Sequence, residues 1–489
     1  MMSALFPLVG YLILTLAIAI WVQQKARSGA SHNTVEEYFI GGRSMGGFVL
    51  AMTIIASYTS ASSFIGGPGV AYSLGLAWVL LAMIQVPTTF LTLGVLGKRF
   101  AIIGRRIGAV TITDFLYARY KSDVVVILCS MALLVFFAAS MVAQFIGGAR
   151  LFQAVTGYPY EAGLILFGVT VIVYTAVGGF RAVVLTDALQ GLVMVVASVV
   201  VFMAVLEAGG GMTQCIQTLK GIDPGLITPS GAGGKVPAPM LFSFWVLVGL
   251  GILGLPQTTQ RCFGYKDSKS MHNAMVMGTL IIGFLLLFMH LAGVLGRAVM
   301  PGLSSGDLII PSLILDLLPP FWAGIFVAGP LAAIMSTVDT MLLLVSAAII
   351  KDLYIRYSLK NDASRISPKK LNGMSFGCTI CAGVLVFAAS FNPPELLVWI
   401  NLFAFGGLEA VFLWPIILGL YWKKANAAGA VFSILIGLTV FIFISVFKVQ
   451  LGGVHAIVPT LALSLVAFWA GNSFGEPAGP DVRRIFWDE

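Results

Sequence analysis

The chain has 489 residues, of which 59% are hydrophobic and only 10% are charged, and its mean hydropathy is +0.99. A soluble domain has about 25% charged residues, so this composition excludes a soluble enzyme, a disordered protein and a disulfide-stapled secreted domain. The net charge of +8 does not indicate nucleic acid, because Lys and Arg collect in the cytoplasmic loops of membrane proteins. The sequence predicts an all-α polytopic membrane protein in a lipid bilayer, with no nucleic-acid partner and no obligate protein partner.

Apolar stretches of about 20 residues, the length that crosses a bilayer, recur along the chain between short polar connections. The first is interpreted as a retained helix rather than a signal peptide, because its positive charges, Lys25 and Arg27, follow it. We predict thirteen transmembrane helices, at 4–23, 45–72, 74–97, 123–147, 161–179, 184–206, 240–259, 273–296, 321–348, 372–391, 395–420, 427–447 and 455–472.

The basic residues predict the orientation of these helices. If the N-terminus is outside, all but five of the 28 Lys and Arg residues fall on the inner side. The five outer ones are Arg150, Lys220, Lys235, Arg297 and Lys448. Because basic residues accumulate in cytoplasmic loops, the sequence predicts an outside N-terminus and an inside C-terminus.

Two predicted helices contain residues that interrupt a helix. The second helix has Gly-Gly-Pro-Gly at 66–69, after a run of Ser, Thr and Ala, and the seventh has Gly-Leu-Pro at 254–256. Unpaired backbone in hydrocarbon costs several kcal/mol unless it is buried in protein or lines a cavity, and matching interruptions indicate a transporter site. The two helices are five positions apart in the order of helices. Because successive helices cross the membrane in alternating directions, helices that are an odd number apart run in opposite directions. The sequence therefore predicts two inverted five-helix repeats.

This pairing divides the chain into five parts. An extra helix and a cytoplasmic loop occupy 1–44, and the first repeat occupies 45–206. An extracytoplasmic loop at 207–239 precedes the second repeat at 240–420. Two C-terminal helices and a cytoplasmic tail complete the chain at 421–489. The predicted core is therefore the pair of repeats.

Uncharged oxygen atoms gather on two of the predicted helices. Ala56 and Thr59 lie at the start of the polar run in the second helix. Ala333, Ser336 and Thr337 share one face of the ninth. Broken membrane helices supply free carbonyls to a coupling ion, so these five residues are candidate cation ligands. Helix packing is the alternative role for Ser and Thr in membrane helices.

Three acidic residues lie within predicted helices, where a charge is costly and marks a functional site by default. They are Asp187, Asp339 and Glu409. The alternative for Asp187 is a helix-end cap. For Asp339 and Glu409 the alternative is an interior acid that hydrogen-bonds to a neighbouring helix.

Three segments together resemble the sodium:solute symporter family, and the resemblance covers predicted helices two to twelve. Two further segments, 37–47 and 401–415, resemble members of this family that take up pantothenate. The three family segments are 66–69 with the preceding Ser/Thr/Ala run, 174–180 with Thr186, Asp187, Gln190 and Gly191, and 419–424 with Gly429 and Ala430.

The resemblance implies a leucine-transporter-type core in a bacterial inner membrane, with Na⁺ as the coupling ion. It implies sodium ligation by the carbonyls of Ala56, Thr59 and Ala333 and the hydroxyls of Ser336 and Thr337. Some members use an acid at the position of Asp187 for a second sodium. This chain has Asp339 where those members have a hydroxyl residue, so a second cation at Asp187 and Asp339, or a proton-sensitive site, stays open.

Pantothenate is a small anion with two hydroxyls, an amide and a gem-dimethyl group. Free N–H groups in the unwound part of the second helix would suit its carboxylate, and Trp78 and Trp245 would wall its apolar face. Arg261 is omitted because it is predicted at the cytoplasmic end of the seventh helix. The candidate substrate contacts are Ser60, Ser62, Ser63, Gln85, Trp245, Gln257, Thr258, Asn401 and Glu409.

The sequence therefore predicts sodium-coupled uptake of pantothenate by alternating access, with another small organic anion or an amino acid as the alternative substrate. An integral-membrane enzyme would need clustered acids, histidines or metal ligands. The four histidines, at 32, 272, 290 and 455, have no acid at ligand spacing. A channel would lack two broken helices around a closed site. Neither an enzyme nor a channel is predicted.

Overall fold

The computed structural model describes residues 2–28, 40, 43–360, 362, 365–393 and 397–487. These residues are helical apart from connections and one isolated bridge between Met45 and Tyr265. In chain order the long helices are α1 (Met2–Ser28), α2 (Gly47–Tyr58), α3 (Ser62–Leu74), α4 (Leu76–Ile107), α5 (Asp123–Thr156), α6 (Tyr160–Ala208), α7 (Ala238–Gly254), α8 (Pro256–Phe263), α9 (Ser268–Val299), α10 (Pro320–Ser358), α11 (Pro368–Ala389), α12 (Val398–Tyr421), α13 (Ala427–Val446) and α14 (Ile457–Gly471).

Ten helical segments among the described residues are long and apolar enough to cross a membrane. Two further pairs meet that criterion only when each pair is counted as one span, because α2 and α3 are bent by 70° and α7 and α8 by 46°. Helix α1 contains a shorter apolar stretch, Phe6–Ile18. The all-helical membrane fold is confirmed, and the count of thirteen spans stays a prediction.

Helix α6 contains two of the predicted spans in one helical stretch of 49 residues. The Tyr174 hydroxyl donates a 2.5 Å hydrogen bond to Thr186 Oγ1, 12 residues away. In a straight helix that separation is about 18 Å, which is more than the two side chains can bridge. The chain therefore changes direction between Tyr160–Val177 and Val183–Ala208, and each of these segments is long enough for a span.

Helix α10 lies at the centre of the bundle. In an apolar stretch of 18 residues of α10, 94% of the residues are buried. In the corresponding stretches of α11 and α13, 28% and 33% of the residues are buried. Helices α2, α5, α6 and α11 all pack against α10. The outer helices remain apolar where they are exposed, as a lipid-facing surface requires. The polar residues of its central stretch, Ala328–Ala347, are therefore shielded from both water and lipid.

The interruption between α2 and α3 is displaced from the glycines where the sequence predicted it. Thr59 is extended, with φ −74° and ψ 121°, and marks the end of α2. The glycines at 66, 67 and 69 lie inside α3, where the absence of a side chain lets neighbouring residues pack closely against the helix. A Cβ at Gly67 would collide with His290, and one at Gly69 would lie 2.7 Å from the backbone of Gly306.

The interruption between α7 and α8 falls at the residues that the sequence indicated. Leu255 is extended, with φ −90° and ψ 110°, and Pro256 begins the next helix. Proline lacks an N–H group and therefore cannot continue the helical hydrogen bonds. The hydroxyls of Thr258 and Thr259 bond to the Leu255 carbonyl at 3.0 and 3.1 Å, so this bend satisfies its own backbone.

Two predicted features lie partly outside the described residues. Of the segment 37–47, residues 37–39, 41 and 42 are not described, and residues 394–396 near the start of the eleventh predicted helix are not described either. The predicted extracytoplasmic loop at 207–239 contains a helix, Met212–Ile222, in its described structure.

Candidate ion and solute sites

Five oxygen atoms from α2 and α10 meet where α2 ends, and we call them the carbonyl–hydroxyl cluster. The Ser336 hydroxyl donates to the Ala56 carbonyl at 2.9 Å, and the Thr337 hydroxyl donates to the Thr59 carbonyl at 3.1 Å. Both hydroxyls also reach the Ala333 carbonyl, at 3.2 and 2.8 Å. All five residues are at most 1% exposed. The structure thus brings together every residue predicted as a sodium ligand.

The break after α2 frees the two carbonyls that α2 contributes. In a continuous helix the amides of Ser60 and Ser63 would donate to the carbonyls of Ala56 and Thr59. Instead the Ser60 amide donates to Ser63 Oγ at 3.4 Å, and the Ser63 amide donates to the Ser60 carbonyl at 2.9 Å. The carbonyls of Ala56 and Thr59 are therefore available to α10.

The same contacts correct the prediction of free N–H groups in the break. The Ala61 amide donates to Gln144 Oε1 at 2.7 Å, and the Ser62 amide donates to Ser60 Oγ at 3.2 Å. The Ser60 amide is bonded as well. Buried backbone donors rarely stay unpaired, and here side chains satisfy them. No amide from Ser60 to Ser63 is left for a carboxylate in this conformation.

The chemistry of the carbonyl–hydroxyl cluster suits a monovalent cation. Its oxygens carry no formal charge, whereas Ca²⁺ and Mg²⁺ sites rely on carboxylates. Within the described part of the chain, no three His, Cys, Asp or Glu side chains are grouped as a metal site would need. The residues present therefore fit Na⁺ better than a divalent or transition metal.

A charged group, the arginine cluster, lies one helical turn along α10 from these oxygens. The Arg261 guanidinium donates to Asp187 at 3.3 Å, to Ser57 at 2.9 Å and to Thr340 at 2.8 Å. The Thr53 hydroxyl donates to the same Asp187 oxygen at 2.6 Å. Arg261 is 3% exposed and Asp187 is 0% exposed. Arg261 lies in the last turn of α8, at the helix end where the sequence placed it, but its guanidinium is buried against other helices. The assignment of this end to the cytoplasmic side stays a prediction.

Asp187 and Asp339 differ in their contacts, although both were predicted for a second cation. Asp187 has Arg261 as a resident cation. Asp339 is fully buried, and neither of its oxygens has a hydrogen-bond partner among the described residues. It precedes Thr340, which Arg261 contacts. Asp187, which was predicted to bind a second sodium ion, is thus paired with the guanidinium of Arg261.

A small cavity lies beside the break. An apolar wall with a few convergent polar groups is typical of small-molecule sites. Five predicted substrate contacts line it: Ser60, Ser62, Ser63, Gln85 and Asn401. Aromatic side chains form much of its wall: Tyr58, Trp78, Phe244 and Phe405. The break therefore faces the carbonyl–hydroxyl cluster on one side and this cavity on the other.

The other four predicted contacts do not line the cavity. Trp245 is 54% exposed on the outside of α7, so the structure corrects its assignment. The Thr258 hydroxyl bonds to the backbone of the bend. Gln257 and Glu409 are buried with unpaired polar atoms, and the Glu409 carboxylate lies against Gly251. A helix rotated by half a turn reverses which residues face inward, and the sequence alone left that rotation undetermined.

The cavity wall also includes His290 of α9, which sequence reasoning considered only as a metal ligand. It is 3% exposed. Ionisable residues are rare inside membrane helices and usually face the interior of the bundle. A single histidine in the apolar stretch 273–296 was therefore a signal that could have identified this residue.

The fold is shared with a transporter of known structure. The protein matches a Na⁺-coupled sialic acid symporter, solved with substrate in an outward-open state, at a TM-score of 0.80. The sequence identity is 18%, and the match covers 98% of this chain and 99% of that chain. The protein therefore shares the multi-pass helical fold of this solved structure.

Sequence comparison identifies the family. Residues 38–437 match the sodium:solute symporter family. The chain is 51% identical to the sodium/pantothenate symporter of Escherichia coli (strain K12) over 474 residues, 97% of each chain. It is 48% identical to the sodium/pantothenate symporter of Haemophilus influenzae over 475 residues, again 97% of each. The chain belongs to the sodium:solute symporter family; it is a transporter that uses Na⁺ as its coupling ion, and it is not an enzyme.

Proposed function

We propose that this protein takes up pantothenate together with Na⁺ across a bacterial inner membrane by alternating access. The identity of 51% with a pantothenate symporter over 97% of both chains supports the choice of solute. The observation that carries the mechanism is the position of the break after α2. The Thr59 carbonyl faces α10, and the next residue, Ser60, lines the cavity.

Cation and solute are coupled through this shared segment. A cation bound by Ala56 and Thr59 on one side and Ser336 and Thr337 on the other holds the end of α2 against α10. That contact orders the residues that line the cavity, so sodium raises the affinity for the solute. By linkage, the solute raises the affinity for sodium by the same factor.

The cavity offers partners for each part of pantothenate. Hydroxyl and amide side chains, including Ser62, Ser63 and Asn401, can bond to its hydroxyls and amide. The aromatic wall suits its gem-dimethyl group. None of the described lining residues is Lys or Arg, so the adjacent Na⁺ provides the positive charge that compensates the carboxylate.

The proposal assigns one Na⁺ to the carbonyl–hydroxyl cluster. A second cation at Asp187 and Asp339 belongs to it only in a conformation in which Arg261 leaves Asp187. One Na⁺ with one pantothenate anion moves no net charge, so the membrane potential then adds nothing to the driving force for uptake. A second Na⁺ would make uptake potential-dependent, because each charge contributes about 2.3 kcal/mol per 100 mV.

We also propose thirteen spans, with each bent helix pair as one broken span, two inverted repeats at 45–206 and 240–420, and an outside N-terminus. The distribution of Lys and Arg supports this orientation. An impermeant thiol reagent applied to intact cells should label Lys220→Cys, and it should not label Lys424→Cys, in a cysteine-free background. The reverse pattern would refute the orientation.

Uptake by purified protein in proteoliposomes tests the function. Labelled pantothenate should accumulate when the external buffer contains NaCl and should fail to accumulate when choline replaces sodium. Empty liposomes are the control for leakage. Equal accumulation in choline would refute sodium coupling, and sodium-driven uptake of an amino acid in place of pantothenate would refute the choice of solute.

A further inference from the structure

His290 has one ring nitrogen in use and one available. Its Nδ1 atom lies 2.7 Å from the Leu286 carbonyl. A carbonyl can only accept a hydrogen bond, so Nδ1 carries a proton. In the neutral ring, Nε2 then has a lone pair and acts as a hydrogen-bond acceptor. The hydrogen bond to Leu286 is the one hydrogen bond of His290 among the described residues. It uses Nδ1, so none of these residues donates a hydrogen bond to Nε2.

The second ring nitrogen, Nε2, lies against Gly67 at the wall of the solute cavity. Both His290 and Gly67 line this cavity, and a Cβ at Gly67 would collide with His290 Nε2. Glycine at position 67 therefore lets the imidazole approach the backbone of α3. The ring is held from behind by Leu286 and from the side by α3, so Nε2 has a defined position.

Among the described residues, two further side chains of the cavity lining have a buried polar atom without a hydrogen-bond partner. The atoms are Trp78 Nε1, which can only donate, and Ser62 Oγ. Trp78 is 3% exposed, as is His290. An unsatisfied buried polar group is unfavourable, so a solute that pairs with these atoms gains affinity. The complementary solute offers an O–H or N–H group to His290 and an oxygen acceptor to Trp78.

We propose that His290 Nε2 accepts a hydrogen bond from a hydroxyl group of the solute and thereby selects hydroxylated anions. Trp78 Nε1 and Ser62 Oγ bond to an oxygen of the same solute. This inference rests on the proposed function, because pantothenate has both the hydroxyl donors and the oxygen acceptors that it requires. His290 is not part of the carbonyl–hydroxyl cluster, so it selects the solute without binding the cation.

The test compares His290→Asn with the unaltered protein in proteoliposomes. Asparagine keeps an amide near the Nδ1 position for Leu286 and removes Nε2. The probes are labelled pantothenate and two pantothenate analogues, each lacking one hydroxyl, as competitors. The unaltered protein should prefer pantothenate over one analogue by about tenfold or more. His290→Asn should bind pantothenate about tenfold more weakly and should no longer prefer it over that analogue.

Matched variants separate this role from general damage. His455→Asn replaces a histidine outside the cavity, whose ring accepts a bond from the Ile457 amide at 3.2 Å, and it should retain the preference. Gly67→Ala should displace the imidazole and lose the preference, which keeps the test decisive if His290→Asn does not fold. At a saturating pantothenate concentration, the sodium concentration for half-maximal uptake should stay unchanged in His290→Asn.

The outcomes distinguish this inference from the proposed function. If His290→Asn and Gly67→Ala both still prefer pantothenate tenfold over both analogues, His290 does not bind a hydroxyl and the inference is overturned. If the unaltered protein transports pantothenate with sodium but accepts both analogues equally well, the inference is also overturned. If the unaltered protein shows no sodium-driven pantothenate uptake, the proposed function itself fails.

Discussion

Two polar clusters lie between α2 and α10, about one helical turn apart, and they differ in charge. The carbonyl–hydroxyl cluster consists of neutral oxygens that bond to one another across the two helices. The arginine cluster contains a cation, Arg261, and an acid, Asp187, and both are buried. The carbonyl–hydroxyl cluster offers several lone pairs and no positive charge, so it can bind a cation. In the arginine cluster the guanidinium of Arg261 is itself the cation.

The comparison shows how one helix pair can hold both a ligand site and a structural lock. Neutral hydroxyls and carbonyls lose little when a cation leaves, because they bond to each other in its place. A buried ion pair is stable only while both partners remain, since the loss of one leaves an uncompensated charge. Substitutions in the two clusters should therefore alter different properties of the protein.

The largest expected effect is the loss of one charge from the arginine cluster. Arg261→Gln leaves Asp187 buried without its cation and should lower the free energy of unfolding by about 3–5 kcal/mol. The double variant Arg261→Gln with Asp187→Asn removes both charges and should recover most of the loss. Denaturant unfolding in detergent measures the free energy of unfolding of the unaltered protein, the single variant and the double variant.

The matched control for the arginine cluster is Lys424→Gln, because Lys424 is exposed and its charge is not buried. Its effect should stay within about 0.5 kcal/mol. Equal losses in the single and the double variant would show that charge compensation is not what Arg261 supplies.

A smaller effect, on function rather than stability, is expected from the carbonyl–hydroxyl cluster. Ser336→Ala or Thr337→Ala removes one hydroxyl ligand, which contributes about 1–3 kcal/mol. The sodium concentration for half-maximal uptake should therefore rise by about tenfold to a hundredfold. Uptake measured over a sodium series tests this expectation.

Ser346→Ala is the matched control, because Ser346 lies on the same helix α10 and its hydroxyl pairs with Ser375 at 2.7 Å, away from the cluster. Its sodium dependence should match that of the unaltered protein. Unchanged sodium dependence in both Ser336→Ala and Thr337→Ala would remove the cluster from the coupling mechanism.

The smallest effect concerns a second buried ion pair, whose acid, Asp307, lies outside the membrane-spanning helices and responds to pH. Arg150 donates to Asp307 at 2.6 Å, and the Leu397 amide donates to the same oxygen at 3.2 Å. Burial raises the pKa of Asp307 to about 6, against the opposing effects of Arg150 and the Leu397 amide. The fold therefore favours the protonated acid.

The pH dependence follows from the sign of this change. A carboxyl group whose pKa is higher in the folded state stabilises the fold at low pH, and that stabilisation is lost as the pH rises through 6. Between pH 7 and pH 5 the protein should gain about 1 kcal/mol relative to Asp307→Asn, which does not titrate. Parallel unfolding profiles of the two proteins over this range would contradict the prediction.

Sequence reasoning identified the carbonyl–hydroxyl cluster but not the arginine cluster, for a physical reason. Ser336 and Thr337 share a face with Ala333 because they are three and four residues apart on one helix, so the pattern is local. Arg261 and Asp187 are 74 residues apart, and the local sequence around either residue does not indicate that the two side chains pair. Their pairing depends on how α8 and α6 pack around α2.

The sequence by itself determined the helical membrane fold and the presence of two interruptions, because these follow from hydropathy and from proline and glycine. It also placed Ala333, Ser336 and Thr337 on one helix face, because their spacing is local, and their role as cation ligands stays a prediction. The tertiary structure decided which side chains meet. It moved the first interruption from the glycines to Thr59, turned Trp245 outward and placed His290 against Gly67. Such contacts depend on the rotation of each helix about its axis and on the distance between helices, and packing sets both.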